Sequence, residues 1–230
     1  MEIRYLGDAA AAVAAVGRVF EAAIESAHAR GDVADLVLTG GRSGAAVAAQ
    51  LAAVLSRHPD VTVRVWMADE RWVETTDPQR NDAPIVAALP LSRQVLVQRH
   101  LTPPVDPNIV AADYAQRLRN TLGDKGFDAV VLSVGEDGHV ASVFPGHPTP
   151  SAVAYAEPAA PKAPAVRTTI ALPMLARTRT CLVLALGASK AEVIHRAERH
   201  DTSLPLVQLS NLVHVQVLTD VIPGMRTPHA

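Results

Sequence analysis

Short hydrophobic runs alternate with helix-like stretches along most of this chain. Six runs are rich in aliphatic or β-branched residues, which is typical of strands buried in a sheet. They are residues 36–39, 61–67, 130–134, 167–172, 181–186 and 213–219. Longer alanine-rich or amphipathic stretches favour helices at residues 8–30, 45–56, 111–122 and 188–199. Strands that alternate with helices predict an α/β fold, built on a mostly parallel sheet with helices on both faces.

Four of these strands end in polar or glycine-rich loops, after Thr39, Met67, Val134 and Leu186. The carboxyl ends of parallel strands lie at one edge of a sheet, and ligands of α/β proteins bind beyond that edge. The four loops are therefore expected to meet and form a binding site.

The chain is expected to form a single α/β domain over residues 1–230, because no linker argues for two domains. Prolines are concentrated in residues 145–164, a composition that an interdomain linker could also have. We interpret this segment as a rigid excursion that closes over the site, because it begins directly after the His139 loop. A content of 49% hydrophobic and 19% charged residues predicts a globular protein with a substantial core. The lone Cys181 lies in an apolar run and is interpreted as a buried thiol.

The formal net charge is −2, with basic residues scattered among acidic ones, so nucleic acid and anionic membranes are not expected as partners. No apolar run reaches the roughly 20 residues that a membrane span needs. The start of the chain lacks a basic segment followed by an apolar one, and a cytoplasmic location is predicted.

The loop after Val134 carries the residues best suited to proton transfer, Asp137 and His139, framed by Gly135 and Gly138. Histidine titrates near neutrality, and a neighbouring carboxylate can orient its ring and stabilise its charged form. This pair indicates hydrolysis or another proton transfer. The alternative is a loop histidine beside solvated acids.

The other loops each allow a functional and a structural interpretation. Residues 40–44 could hold a phosphate on backbone N–H groups, although they match neither a Walker loop nor a dinucleotide fingerprint and could be a tight turn. Lys190 could bind an anion at the start of a helix or lie on the surface. Asp69 and Arg71 could line the site or form a salt-bridged turn, and Arg167 could be a structural arginine.

Taken together, the motifs resemble those of the 6-phosphogluconolactonases, which share a Rossmann-like superfamily with glucosamine-6-phosphate deaminase. They occur in order over nearly the whole chain. The motifs are residues 39–41, 69–71, Asn81, residues 135–146, residues 161–162 with Arg167, and residues 187–191. The loop around His139 is the most specific of them.

The resemblance implies hydrolysis of 6-phospho-D-glucono-1,5-lactone in the pentose phosphate pathway, without a metal or an organic cofactor. The partner is then a small phosphorylated sugar lactone, and the protein is expected to be a monomer or a homodimer. On this hypothesis His139 is the general base and Asp137 orients it. The expected substrate contacts are Gly40, Gly41, Arg42, Ser43, Asp69, Arg71, Arg167 and Lys190.

The chain departs from the family pattern at residues 42–44, where Ser-Thr-Pro is usual, and at Glu74 and Arg80, where a proline and a serine are typical. An amino-sugar-phosphate deaminase or isomerase is the nearest alternative enzyme, but such enzymes carry a glutamate where this chain has Phe144. A non-catalytic sugar-phosphate sensor is the alternative from another class. The histidine spacing does not favour a metal hydrolase.

Overall fold

The computed structural model describes residues 1–89 and 94–221. This part of the chain contains ten strands, and seven of them form a parallel sheet. The strands are β1 (Glu2–Tyr5), β2 (Ala34–Leu38), β3 (Val63–Met67), β4 (Asp69–Arg71), β5 (Val95–Gln98), β6 (Ala129–Ser133), β7 (Ala154–Glu157), β8 (Arg167–Ile170), β9 (Cys181–Ala185) and β10 (Val215–Thr219). The spatial order of the parallel sheet is β1-β10-β9-β6-β2-β3-β5.

Helices cover both faces of this sheet, as the sequence predicts. They are α1 (Ala9–Ala29), α2 (Gly41–Leu55), α3 (Asp82–Ala88), α4 (Pro107–Leu122), α5 (Leu172–Leu175), α6 (Ala191–Glu198) and α7 (Pro205–Ser210). The first three pack on one face and the last four on the other. Successive strand residues point to opposite faces, so Leu36 and Leu38 contact the first group whereas Val37 contacts the second.

The first helix shows how local sequence sets its bounds. The Asp8 carboxylate accepts the Ala11 N–H at 2.7 Å and caps the start of α1. Val16, Phe20 and Ile24 recur at helical spacing and are buried. Gly31 follows with a φ of 72°, the left-handed conformation in which glycine commonly ends a helix.

Three strands form a second, antiparallel sheet in the order β4-β8-β7. Only Ala68 separates β4 from β3, so the second sheet begins where a strand of the first sheet ends. The strand predicted at residues 167–172 belongs to this second sheet as β8. The proline-rich segment 145–164 contains β7, which the sequence pattern does not predict because Ala154–Glu157 mixes alanines with a buried glutamate.

Several elements differ from the sequence prediction. Helix α2 begins at Gly41 rather than at Ala45. The predicted start was too late because glycine has a low helix propensity. The edge strands β1 and β5 of the parallel sheet are not predicted, and each is only four residues long with partly exposed positions. The short helices α3, α5 and α7 are also missed, since they span at most two turns.

Cys181 is buried in β9, and burial raises the pKa of its thiol to about 12. Its interpretation as a buried thiol is confirmed.

None of the helices within residues 1–89 and 94–221 combines the length and the apolar character needed to cross a bilayer.

Candidate active site

The loops after β2, β3, β6 and β9 lie at one edge of the parallel sheet, as predicted. These four strands are neighbours, and Leu38 at the end of β2 pairs with both Met67 and Val131. Ser133 at the end of β6 pairs with Leu184. The polar residues of all four loops therefore surround a common space.

The loop after β6 is a tight turn that closes on itself. The Gly135 N–H donates to the His139 carbonyl at 2.8 Å, and the Gly138 N–H donates to the Gly135 carbonyl at 3.1 Å. Gly138 has a φ of 92°, and a Cβ there would lie 2.5 Å from Leu204 Cδ2. Glycine at position 138 thus allows the turn to bring His139 to the edge of the sheet.

His139 and Asp137 form a close pair within this turn. His139 Nδ1 lies 2.5 Å from Asp137 Oδ1, and the two side chains are 29% and 44% exposed. The Phe144 ring lies beside the imidazole, with 4.8 Å between ring centroids. Within residues 1–89 and 94–221, His139 Nε2 has no hydrogen-bond partner. Since a carboxylate only accepts hydrogen bonds, neutral His139 donates from Nδ1 and keeps a lone pair on Nε2.

The environment of Asp137 keeps its side chain ionised. Partial burial opposes ionisation of Asp137, but the hydrogen bond and the charge of His139 outweigh burial and lower the pKa of Asp137 to about 2. Asp137 is therefore a carboxylate at neutral pH. A fixed carboxylate orients the imidazole and stabilises the imidazolium that forms when Nε2 takes a proton.

Gly135 is predicted to be essential for the position of the His139 ring. A Cβ at this position would lie 2.1 Å from both Cε1 and Nδ1 of His139 and 2.6 Å from Asp137 Oδ1. Gly135→Ala is expected to displace the ring and lower kcat about 100-fold, because a displacement of about 1 Å can cost that much. Steady-state kinetics measures the loss. Gly7→Ala is the matched control, since a Cβ on Gly7 meets nothing within 4 Å; equal rates for both variants would contradict the prediction.

The first turn of α2 presents backbone N–H groups at the same edge. The helix begins at Gly41, which has a φ of 64°, and Arg42 and Ser43 follow in the first turn. The Gly41 N–H donates to Asn81 Oδ1 at 3.3 Å. First-turn N–H groups have no acceptor within their own helix and favour anions such as phosphate. Residues 40–43 therefore form a helix start that can hold an anion.

Lys190 approaches this edge from the loop after β9. It ends the 3₁₀ turn Ala188–Lys190, directly before α6, and is only 7% exposed. In the part of the chain that the structure describes, its ammonium group has no hydrogen bond or ion pair. Burial lowers the pKa of Lys190, whereas the charge of Glu136 acts in the opposite direction. A largely buried cation is suited to binding an anionic ligand.

Glu136 lies near basic side chains from several loops. Arg42 Nη2 lies 3.6 Å from Glu136 Oε1. The pKa of Glu136 is lowered chiefly by a side-chain hydrogen bond from Ser189, and also by the charges of Lys190, Lys162 and Arg42. Three cations around one carboxylate leave this part of the edge positively charged.

Arg71 and Arg167 are cross-strand partners in the second sheet. Arg167 is buried, and its guanidinium donates to the carbonyls of Pro164 at 3.1 Å and Lys162 at 2.9 Å. Burial lowers the pKa of Arg167. Arg71 Nη1 donates to the Gln79 carbonyl at 2.8 Å, whereas its buried Nε has no partner among the described residues. The charge of Arg71 also lowers the pKa of Arg167, whereas the carboxylates of Asp69, Glu157 and Glu70 oppose this shift.

Asp69 lies beneath the loops rather than among the exposed groups. It is 5% exposed, and its carboxylate accepts hydrogen bonds from Ser142 and Asn81. Sequence reasoning assigned no role to Ser142, Asn81, Glu136 or Lys162. All four stand within the family motifs, but residue type alone did not reveal which polar groups would be buried or bonded to one another.

One group of possible metal ligands occurs within residues 1–89 and 94–221. Donor atoms of Glu21, Glu25 and His58 lie within 4.8 Å of one another. His58 follows the end of α2, whereas Gly41 at its start faces the site, so a metal held there would not reach His139.

Comparison with known proteins agrees with this geometry. The sequence profile of the family described as glucosamine-6-phosphate isomerases/6-phosphogluconolactonase matches residues 7–217. The chain is 32% identical to a 6-phosphogluconolactonase of Streptomyces coelicolor over 81% of this chain and 78% of that protein.

Solved structures share the fold. A 6-phosphogluconolactonase from Leishmania guyanensis superposes with a TM-score of 0.80 at 22% identity, covering 98% of this chain and 99% of that one. A monomeric glucosamine-6-phosphate deaminase superposes with a TM-score of 0.76 at 18% identity, covering 95% of this chain and 97% of that one. Together with the profile match over residues 7–217, these similarities show that the chain belongs to the glucosamine-6-phosphate isomerase/6-phosphogluconolactonase family.

Proposed function

We propose that this protein hydrolyses 6-phospho-D-glucono-1,5-lactone to 6-phosphogluconate, the lactonase step of the pentose phosphate pathway. The observation that carries the proposal is the His139–Asp137 pair, with Nε2 unpartnered among the described residues, at the edge that also presents the start of α2 and Lys190. The Streptomyces coelicolor relative is named for this activity, and the chain covers most of its length.

The reaction begins with His139 as general base. Nε2 takes a proton from a water molecule while the water oxygen bonds to the lactone carbonyl carbon. The imidazolium, stabilised by Asp137, then gives that proton to the ring oxygen as the ring C–O bond breaks. The products are a carboxylic acid and a hydroxyl group, and His139 returns to its neutral form. No other proton donor is needed.

The surrounding cations divide between the two charged ends of the substrate. Arg71, or backbone N–H groups near it, stabilises the oxyanion that develops on the carbonyl oxygen. The phosphate binds to the start of α2, at Gly40, Gly41, Arg42 and Ser43, and to Lys190. Arg167, which anchors the loop that carries Lys162, supports the same anion.

Phe144 is the residue that leads us to propose the lactonase reaction rather than the deaminase reaction. It lies beside His139, is 4% exposed, and has no group that transfers a proton. The shared fold does not separate the two activities, because a deaminase superposes about as well as a lactonase.

The deciding experiment measures turnover of freshly generated 6-phosphogluconolactone, coupled to 6-phosphogluconate dehydrogenase and corrected for spontaneous hydrolysis. A rate well above background supports the proposal. Conversion of glucosamine 6-phosphate without lactone hydrolysis would assign the deaminase reaction instead. Binding of sugar phosphates without turnover of either substrate would assign a sensor.

Lys190→Ala is expected to raise the KM for the phosphorylated lactone about 10- to 100-fold and to leave kcat nearly unchanged. A hydrogen bond to a charged group contributes about 1.5–3 kcal/mol, which corresponds to that range. The measurement is a substrate titration of the purified variant. Arg199→Ala is the matched control, because it removes an exposed cation at the other end of α6. A fall in kcat at unchanged KM would move Lys190 to the chemical step.

The absence of a cofactor, the cytoplasmic location, the single domain and the monomeric or homodimeric state stay predictions. Dialysis against a chelator, followed by the same assay, tests whether the activity needs a metal ion.

A further inference from the structure

Ser142 ties the His139 loop to the second sheet. It follows His139 by three positions and is fully buried. Its Oγ donates to Asp69 Oδ2 at 2.5 Å, and its N–H donates to Thr169 Oγ1 at 3.1 Å. The preceding Ala141 has a φ of 51°, a conformation that residues with a Cβ rarely adopt. Such a conformation persists only when surrounding contacts hold it, and the two bonds of Ser142 are such contacts.

Asp69 is the acceptor that connects Ser142 to a second loop. Its Oδ2 accepts from Ser142, and its Oδ1 accepts from Asn81 Nδ2 at 3.2 Å. Within residues 1–89 and 94–221, no basic side chain forms an ion pair with Asp69. A buried carboxylate that no cation contacts directly depends on its hydrogen bonds, so both neutral donors help to keep Asp69 in place.

Asn81 forms hydrogen bonds both to Asp69 and to the start of α2. It is 4% exposed, and its Oδ1 accepts the Gly41 N–H at 3.3 Å while its Nδ2 faces Asp69. A Cβ on Gly40 would lie 2.2 Å from Asn81 Cγ, so glycine at position 40 permits this close approach. An amide is the one group of this shape that both accepts from Gly41 and donates to Asp69.

We infer that Asn81 and Ser142 are positioning residues, which act through Asp69 to hold the first turn of α2 at a fixed separation from His139. The inference rests on the proposed function, in which one substrate spans both places: its phosphate binds at α2 and its carbonyl carbon faces His139. Reacting atoms must approach to about 3–3.5 Å, and a displacement of about 1 Å can cost 100-fold in rate. The hydrogen-bonded chain keeps that separation constant.

Two substitutions each remove a different hydrogen bond from the connection between Gly41 and Ser142. Ser142→Ala removes the hydroxyl without adding volume, and Asn81→Asp keeps the side-chain shape but turns an oxygen toward the Asp69 carboxylate. Each is expected to lower kcat 10- to 100-fold and to leave KM within twofold, because the phosphate still binds. The double variant is expected to be no slower than the slower single variant, since either change breaks the same connection.

Thr219→Val is the matched control. Thr219 is a fully buried residue at the end of β10, and its Oγ1 donates to the Ala185 carbonyl at 2.7 Å. This hydrogen bond is not one of those that connect Gly41 with Ser142. This variant is expected to lose some thermal stability and to keep kcat within twofold of wild type. Asn81→Ala, which removes both amide contacts without adding a charge, replaces Asn81→Asp if that variant does not fold.

A kcat within twofold of wild type for either single variant overturns the inference, whatever happens to the melting temperature. If the wild-type protein does not hydrolyse the lactone, the proposed function fails, and NMR relaxation dispersion of the His139 ring then tests the positioning role alone. Exchange broadening of His139 in both single variants, but not in wild type or Thr219→Val, supports the inference. Sharp His139 resonances in both single variants overturn it.

Discussion

Replacing His139 with alanine is expected to lower kcat by about 10²- to 10⁴-fold, the usual contribution of a general base. In the proposed mechanism, this imidazole takes a proton from water near neutral pH and returns it to the leaving ring oxygen. Asp137 cannot substitute, because a carboxylate is a much weaker base than an imidazole. The remaining rate comes from substrate binding and oxyanion stabilisation.

The measurement is the lactonase assay with background correction, performed on a variant whose circular dichroism and melting temperature match those of wild type. The His139 side chain is partly exposed and lies in a surface turn, so its removal leaves the core intact. His195→Ala serves as the control, since His195 is 60% exposed on α6. Wild-type turnover by His139→Ala would remove His139 from the chemical step.

Arg80→Met is expected to lower the free energy of unfolding by about 3–5 kcal/mol. The Arg80 side chain is fully buried and donates to both oxygens of Asp82, at 2.9 Å and 2.8 Å. It also lies 3.3 Å from Glu70 Oε2. Removal of one partner from a buried ionic group leaves the others uncompensated, and losses of this size are typical.

Urea denaturation monitored by circular dichroism measures the change. Arg99 also bonds to Asp82, and Glu70 accepts three backbone N–H groups, so the loss is expected toward the lower end of the range. Arg57→Met is the control, because Arg57 forms an exposed ion pair with Glu21, and such pairs contribute little. A loss for Arg80→Met no larger than that of the control would contradict this account.

Arg80 also shows why a departure from the family pattern is hard to interpret from sequence. A serine is typical at this position, and the residue type alone does not show whether Arg80 contacts the substrate. The structure instead places its guanidinium between two buried carboxylates. Only the folded chain brings Glu70 next to Arg80 and Asp82, because β4 and the start of α3 are separated by a loop.

The sequence by itself determined the order of the main strands and helices and the four loops at their ends. Hydrophobic periodicity depends on which residues a strand or a helix buries, so it predicts β2, β3, β6, β9 and β10 together with α1, α4 and α6. It also placed His139 and Asp137 in one turn, since residues so close in sequence, framed by glycines, can meet without help from the rest of the fold.

Only the tertiary structure decided which polar groups face the substrate space and which support it. Asp69 and Arg71 alternate with Glu70 in β4, and their surroundings depend on pairing with β8, nearly one hundred residues away. The start of α2 likewise depends on Asn81, which reaches Gly41 across forty positions. Hydrogen bonds between distant segments have no period along the chain, and for that physical reason the connection from Gly41 to Ser142 is visible only in the folded protein.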